Sequence, residues 1–137
     1  MEIAVIVTDA NLNTIASLNE SIIIHVEDSI LDNMNDWCRE HHGASGLTAA
    51  CKASKITLAE AEQLCLDLVK KAVPKARVAP LAGNSIHMDR MFLAKFMPNF
   101  LNYLHYRIID VSTIKELARR WYPKEFAQVP AKKGAHT

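Results

Sequence analysis

Nowhere does this chain approach the ~20 consecutive apolar residues that cross a bilayer as a helix, although half of its 137 residues are hydrophobic. That half is enough for a sizeable core. There is no excess of charge: the net value of +1 forces no broad basic face. Long duplexes are therefore poor ligands, while a local contact with a short oligonucleotide remains open. Cysteine is sparse, with Cys38, Cys51 and Cys65 making an odd set of three and no CxxC spacing. A disulfide framework or zinc cluster is excluded in favour of free thiols in a reducing compartment. The opening residues lack the basic start of a signal peptide and read as a strand from the first position. A domain seldom begins flush with a buried strand, so further chain is expected upstream of Met1. Neither a Walker loop nor a dinucleotide GxGxxG occurs, and no repeat or low-complexity segment appears.

The length suits one domain over residues 1–137 with a single core. Residues 3–7 are β-branched and apolar, and the turn residues 9–13 follow. Residues 14–17 and 21–26 continue as an expected antiparallel meander. Residues 29–42 place Ile30, Leu31, Met34 and Trp37 at helical spacing, which predicts one or two short helices broken by Gly43 to Gly46. Thr57-Leu58-Ala59-Glu60 is a capping box. Leu58, Ala61, Cys65, Leu68 and Ala72 then form an apolar stripe that ends at Pro74. A strand is predicted over 79–82, a helix from His87 interrupted at Pro98, and a strand over 107–111. A second capping box, Thr113 to Glu116, is expected to open the last helix, and the chain from Pro123 reads as a polar loop. Strands, helices, then strand and helix in alternation predict a mixed α/β domain with a helix-covered sheet.

The richest stretch is Gly83-Asn84-Ser85-Ile86-His87-Met88-Asp89, where a strand delivers a loop and a helix begins. Asp89 in a first turn complements the helix dipole, or it faces a ligand or metal. Ser85 is an N-cap, or it holds a phosphate together with helix-start amides. His105-Tyr106-Arg107 stands at a strand entrance. Tyr106 is a half-buried strand residue or a base-stacking ring, and Arg107 is solvated or binds phosphate. Asp110-Val111-Ser112-Thr113 is a strand end running into a helix cap, where Ser112 would also reach a phosphate. Trp37 packs in the core, or with His42 it holds a nucleobase. His41 and His42 are adjacent on a helix and point apart, so they make no metal pair. No Ser-His-Asp or Cys-His triad follows from order or spacing.

Three runs carry a resemblance. They are Asn35-Asp36-Trp37-Cys38-Arg39-Glu40-His41-His42-Gly43, Pro80-Leu81-Ala82-Gly83-Asn84-Ser85-Ile86-His87-Met88-Asp89, and residues 105–123 from His105-Tyr106-Arg107 to Trp121-Tyr122-Pro123. Across essentially its whole length the chain resembles the oligoribonucleases, 3′-to-5′ exoribonucleases of the DEDD-type, DnaQ-like class, and most of all their eukaryotic mitochondrial branch. The resemblance implies a ribonuclease H-like fold, a mixed sheet flanked by helices, here without its first strand and last helix. It implies hydrolysis of very short RNA to mononucleotides with two divalent ions, magnesium or manganese, and a histidine as general base. Asp89 matches one of four metal-site carboxylates and His136 matches the base; the other carboxylates are expected beyond both ends of the chain. Trp37 and His42 would line the 3′ nucleotide pocket. Ser85, Arg107 and Ser112 would hold the 5′ phosphate, Asn84 would also bind the substrate, and Tyr106 would stack on a base across a homodimer. The location implied is intracellular, in mitochondria or in the cytoplasm or nucleus, with no membrane partner. The second reading is a non-catalytic isoform that binds nucleotides or pairs with the full-length enzyme.

Overall fold

The apolar N-terminal run forms strands, but not a single one. In the computed structural model, which describes residues 1–130, β1 (Glu2–Ile3) and β2 (Ile6–Thr8) belong to different two-stranded sheets. β2 pairs antiparallel with β3 (Thr14–Ser17), with Val7 opposite Ala16. The turn between them closes because the Asp9 carboxylate accepts the amides of Asn11 and Asn13 at 2.8 and 2.9 Å, the local bonding that makes Asp a turn residue. β1 pairs antiparallel with β4 (Ile22–Ile23), with Ile3 opposite Ile22. The meander is thus present in shorter pieces, and residues 21–26 return to β1 rather than to β3.

Three short helices follow: α1 (Asp28–Asp32), α2 (Asp36–Ala44) and α3 (Leu47–Ala53). Asn35 caps α2, its side chain accepting the Cys38 amide at 2.8 Å. The expected break arrives late. Gly43 and Ala44 remain helical, and Gly46, at φ +78°, turns the chain into α3. α3 was not legible in the apolar spacing. α4 (Leu58–Ala72) opens on the full capping box, with Glu60 amide to Thr57 Oγ1 at 3.2 Å and Thr57 amide to Glu60 Oε2 at 2.8 Å. Its buried face is Ala61, Cys65, Leu66 and Val69, and the helix ends at Val73 just before Pro74.

The C-terminal half is a parallel unit. β5 (Pro80–Gly83) leads through α5 (Ile86–Phe96) and α6 (Pro98–Tyr103) into β6 (His105–Asp110), followed by α7 (Val111–Trp121) and α8 (Pro123–Phe126). β5 and β6 are parallel, with Leu81 opposite Ile108 and Gly83 opposite Asp110. Such strands need a long crossover, which α5 and α6 provide. Pro98 and Pro123 start α6 and α8, where a missing N–H costs nothing; a loop had been expected at Pro123. α7 does not open on Thr113 and Glu116. Asp110 reaches the cap position first and accepts the Ser112 amide at 2.9 Å, so the helix begins three residues earlier.

The fold is mixed α/β, with its strands in three two-stranded pieces. The core joins Val7, Ile22 and Ile24 of the N-terminal half to Ala61, Cys65 and Val69 of α4 and to Met97, Phe100 and Leu104. Each large apolar side chain so buried contributes about 1.5–3 kcal/mol. Through this core α4 packs on α6 and α6 on α5, and α5 packs on the β5–β6 pair.

Candidate functional site

Parallel pairing of β5 and β6 brings Gly83 and Asp110 side by side at the strands' C-terminal ends. Each strand runs from there into a helix, so two helix N-termini meet. That is where anionic ligands bind in parallel sheets. Gly83 lies close against the start of α5: a Cβ there would stand 2.8 Å from the tip of the Ile86 side chain, Cδ1, which would have to shift. Ser85 then takes the left-handed conformation, φ 55° and ψ 34°, and makes no side-chain cap to its own helix. The N-cap role expected of its hydroxyl is therefore not met, because the backbone turns the side chain toward α7 instead.

There it enters a polar cluster. Asp110 Oδ1 accepts the amides of both Ser85 and Ser112 at 2.9 Å, and Oδ2 lies 3.0 Å from His87 Nδ1. The Ser85 amide also lies 2.9 Å from Ser112 Oγ, and the two serine hydroxyl oxygens are 2.9 Å apart. Ser112 Oγ donates to Asn84 Oδ1 at 3.1 Å. The His87 bond first, and then the Ser112 and Ser85 amides, hold the Asp110 carboxyl below its ordinary value; burial opposes them. An ionised carboxylate only accepts, so His87 Nδ1 carries the proton of the shared bond. Serine, histidine and aspartate do meet here, but both serines bond on the aspartate side and not at His87 Nε2, so no nucleophilic triad forms.

The other predicted residues form separate clusters. Trp37 is 61% exposed, not packed in the core. His41 stacks on it at 4.1 Å between ring centroids and His42 meets it edge-on at 6.4 Å. Tyr106, 70% exposed, has the Arg107 guanidinium 5.4 Å over its ring and His105 stacked at 4.5 Å. Among the described residues, no hydrogen bond or ring contact joins Trp37 and His42, or Tyr106 and Arg107, to the Ser85–Ser112 cluster. Arg107 leaves the strand before its end, whereas Ser112 lies beyond it. Two residues of the cluster were underread in the sequence. Asp110 had only a capping role, and His87 had none. The signal that links them is the register of β5 against β6, which is a tertiary fact.

Asp89 is exposed in the first turn of α5 and opens into a cavity of about 290 Å³ shared with Met1, Glu2, Ile3, Phe92 and Phe96. The cavity is mainly apolar, and the Glu2 carboxylate is engaged by the Ser21 hydroxyl. Among the described residues, no three His, Cys, Asp or Glu side chains come together to hold a metal ion. Those residues do not fit a two-metal centre. His136 lies outside the described residues.

A family profile described as exonuclease, RNase_T, matches residues 1–137. The chain is 52% identical over 136 residues to "Oligoribonuclease, mitochondrial" of Homo sapiens, covering 99% of this chain and 56% of that protein. It is 57% identical over 123 residues to "Probable oligoribonuclease" of Dictyostelium discoideum, covering 90% and 64%. With "Oligoribonuclease" of Colwellia psychrerythraea the identity is 49%, covering 99% and 74%. The chain thus spans little more than half the length of the human relative.

Proposed function

The chain belongs to the oligoribonuclease branch of the RNase_T exonuclease family, and from that membership we propose that it serves the 3′-to-5′ hydrolysis of very short RNA to mononucleotides. The observation that carries this reading is the pair of serine hydroxyls, 2.9 Å apart, between the starts of α5 and α7. Two hydroxyls this close, where two helices start, suit a phosphate group. In this reading Ser85, Asn84 and Ser112 hold the 5′ phosphate, with Arg107 approaching from β6. Trp37 and His42 line the 3′ nucleotide, and the exposed Tyr106 ring stacks on a base. Base stacking of this kind is worth about 1–3 kcal/mol per ring. A phosphate capped at one end selects short chains, because a longer one has no path onward. This agrees with the net charge of +1.

Divalent metal, as two magnesium or manganese ions, belongs to the same reading, with Asp89 as one ligand and His136 as the general base. The described residues do not assemble that centre. For residues 1–137, as one exonuclease domain, we propose nucleotide binding with little turnover. Pairing with a second subunit is favoured by α7, whose residues Ile114 and Trp121 are 60% and 65% exposed. A mitochondrial location follows the names of the human and bovine relatives; no helix among the described residues is long and apolar enough to cross a membrane.

The test is titration of the 1–137 chain with a 5′-phosphorylated diribonucleotide, followed by a cleavage assay with magnesium or manganese. Micromolar binding weakened about tenfold or more by Trp37→Ala, without robust cleavage, supports the reading. Absence of binding would sink it. Brisk turnover abolished by Asp89→Ala would show instead that the chain carries a working centre.

A further inference from the structure

Ser112 has one hydroxyl proton, and Asn84 Oδ1 takes it at 3.1 Å. The Ser85 hydroxyl, 2.9 Å away, must then donate to Ser112. Both hydroxyl protons are engaged inside the cluster. A phosphate can receive them only by displacing these two side-chain bonds. The bonds to Asp110 are of another kind. Its Oδ1 accepts the backbone amides of Ser85 and Ser112, each at 2.9 Å, and these residues are 27 positions apart at the starts of different helices. Those bonds survive any rotation of the hydroxyls. One carboxylate oxygen therefore accepts the backbone amides of both hydroxyl-bearing residues, and the Ser85 amide, shared with Ser112 Oγ at 2.9 Å, keeps its bond to Asp110 when that hydroxyl turns to a phosphate. His87 fixes the second oxygen and with it the plane of the carboxylate.

Charge runs the other way. Asp110 is a side chain only 12% exposed, and its negative charge directly behind the serines opposes an incoming phosphate. If electrostatics were its contribution, an acid would be the wrong residue there. Its useful property is that one oxygen accepts two amides in a fixed geometry.

We propose that Asp110 is a positioning residue: by accepting the Ser85 and Ser112 amides together, it holds the two hydroxyls within reach of one phosphate group and so sets a preference for 5′-phosphorylated over 5′-hydroxyl ends. This rests on the reading that the two serines bind phosphate, and it adds the residue that arranges them. Asp110→Asn keeps the accepting oxygen and loses the charge. Asp110→Ala removes both. Asp110→Ser retains a cap for α7 but is too short to reach the Ser85 amide as well, which guards against a misfolded alanine variant.

The experiment measures binding of a diribonucleotide with and without its 5′ phosphate to the full chain and these variants, with amide exchange at Ser85 and Ser112 followed by NMR. The unsubstituted chain is expected to prefer the phosphorylated form about tenfold or more, as charge-assisted bonds would give. Asp110→Asn should keep or enlarge that preference. Asp110→Ser and Asp110→Ala should bring it close to parity, with the 5′-hydroxyl form bound as before and the Ser85 amide exchanging faster. A preference that survives in Asp110→Ser and Asp110→Ala overturns this proposal alone, as does a loss in Asp110→Asn equal to that in Asp110→Ala. No preference in the unsubstituted chain overturns the phosphate reading, and this proposal with it.

Discussion

Glu62 Oε1, on α4, accepts the backbone amide of Phe100 at 3.0 Å and that of Asn99 at 2.6 Å. A side chain of one helix thus caps the start of another, 38 positions along the chain. α6 needs this, since its own cap position is Met97, which has no side-chain acceptor. The bond also holds Phe100, 2% exposed, in the core that α4 and α6 share. Glu62→Ala should therefore destabilise the domain by about 1–2 kcal/mol, the range of a lost cap with amides left unpaired. Glu62→Gln, which keeps an accepting oxygen, should recover most of it. Urea unfolding measures both; equal midpoints for the parent and Glu62→Ala would remove the cap from the account.

The contrast with Thr57 and Glu60 shows what the sequence made legible. That capping box is local, its two residues three positions apart, and its helix ran as expected. Pro74, Pro98 and the apolar runs of the strands expected over 79–82 and 107–111 were local signals too. Thr113 and Glu116 carry the same pattern and do not form a box, because Asp110 had already capped α7. A spacing rule cannot see such competition. The cluster of Asp110, Ser85 and His87 depends on which strand lies beside which, and on a left-handed Ser85 that propensity disfavours. Ser85 and Ser112 entered as phosphate ligands from their places at helix starts and again through family resemblance, while Asp110, the residue that joins them, entered only as part of a cap. Likewise α3 needed Gly46 at positive φ, not apolar periodicity, to announce itself.

The three thiols should react in a fixed order. Burial pushes the Cys65 thiol up to about 11, and Cys65 and Cys51 are 0% and 2% exposed. Cys38 is the partly exposed one. The thiolate is the nucleophile, so iodoacetamide at pH 8 should label Cys38 first, and Cys65 only on unfolding. Mass spectrometry of peptides from partly labelled native protein checks this. Early labelling of Cys65 would mean that α4 opens readily.

Acid should weaken α7 through Glu116. Glu116 is held down to about 2, chiefly by its bond to Arg119 and also by Arg120. Its folded value lies below the unfolded one. The stability it adds is present above the unfolded value near 4.5 and is lost as pH falls toward about 2. The group is solvent-facing, so the effect is small and screened by salt. The expected result is a decline in stability between these pH values that is measurably shallower in Glu116→Gln at low ionic strength. An unchanged pH profile in that variant would assign the decline to other acids, with Asp110 as the next to test.

Ser85 is where stability and binding should separate. At φ 55° a residue other than glycine is strained by roughly 1–2 kcal/mol, and Ser85→Gly relieves that strain. The same change removes the hydroxyl that bonds Ser112, worth about 0.5–1.5 kcal/mol. The two effects oppose each other at similar size, so the unfolding free energy should fall by no more than about 0.5 kcal/mol or rise by no more than about 1.5 kcal/mol. The amide that Asp110 accepts is retained. A phosphate nevertheless loses one of its two hydroxyl donors. Ser85→Gly is thus expected to fold as the parent does and to bind the 5′-phosphorylated diribonucleotide about tenfold more weakly. The strain at Ser85 would then exist to aim a hydroxyl rather than to hold the fold together. Weaker binding matched by an equal loss of stability would instead make Ser85 a structural link between α5 and α7.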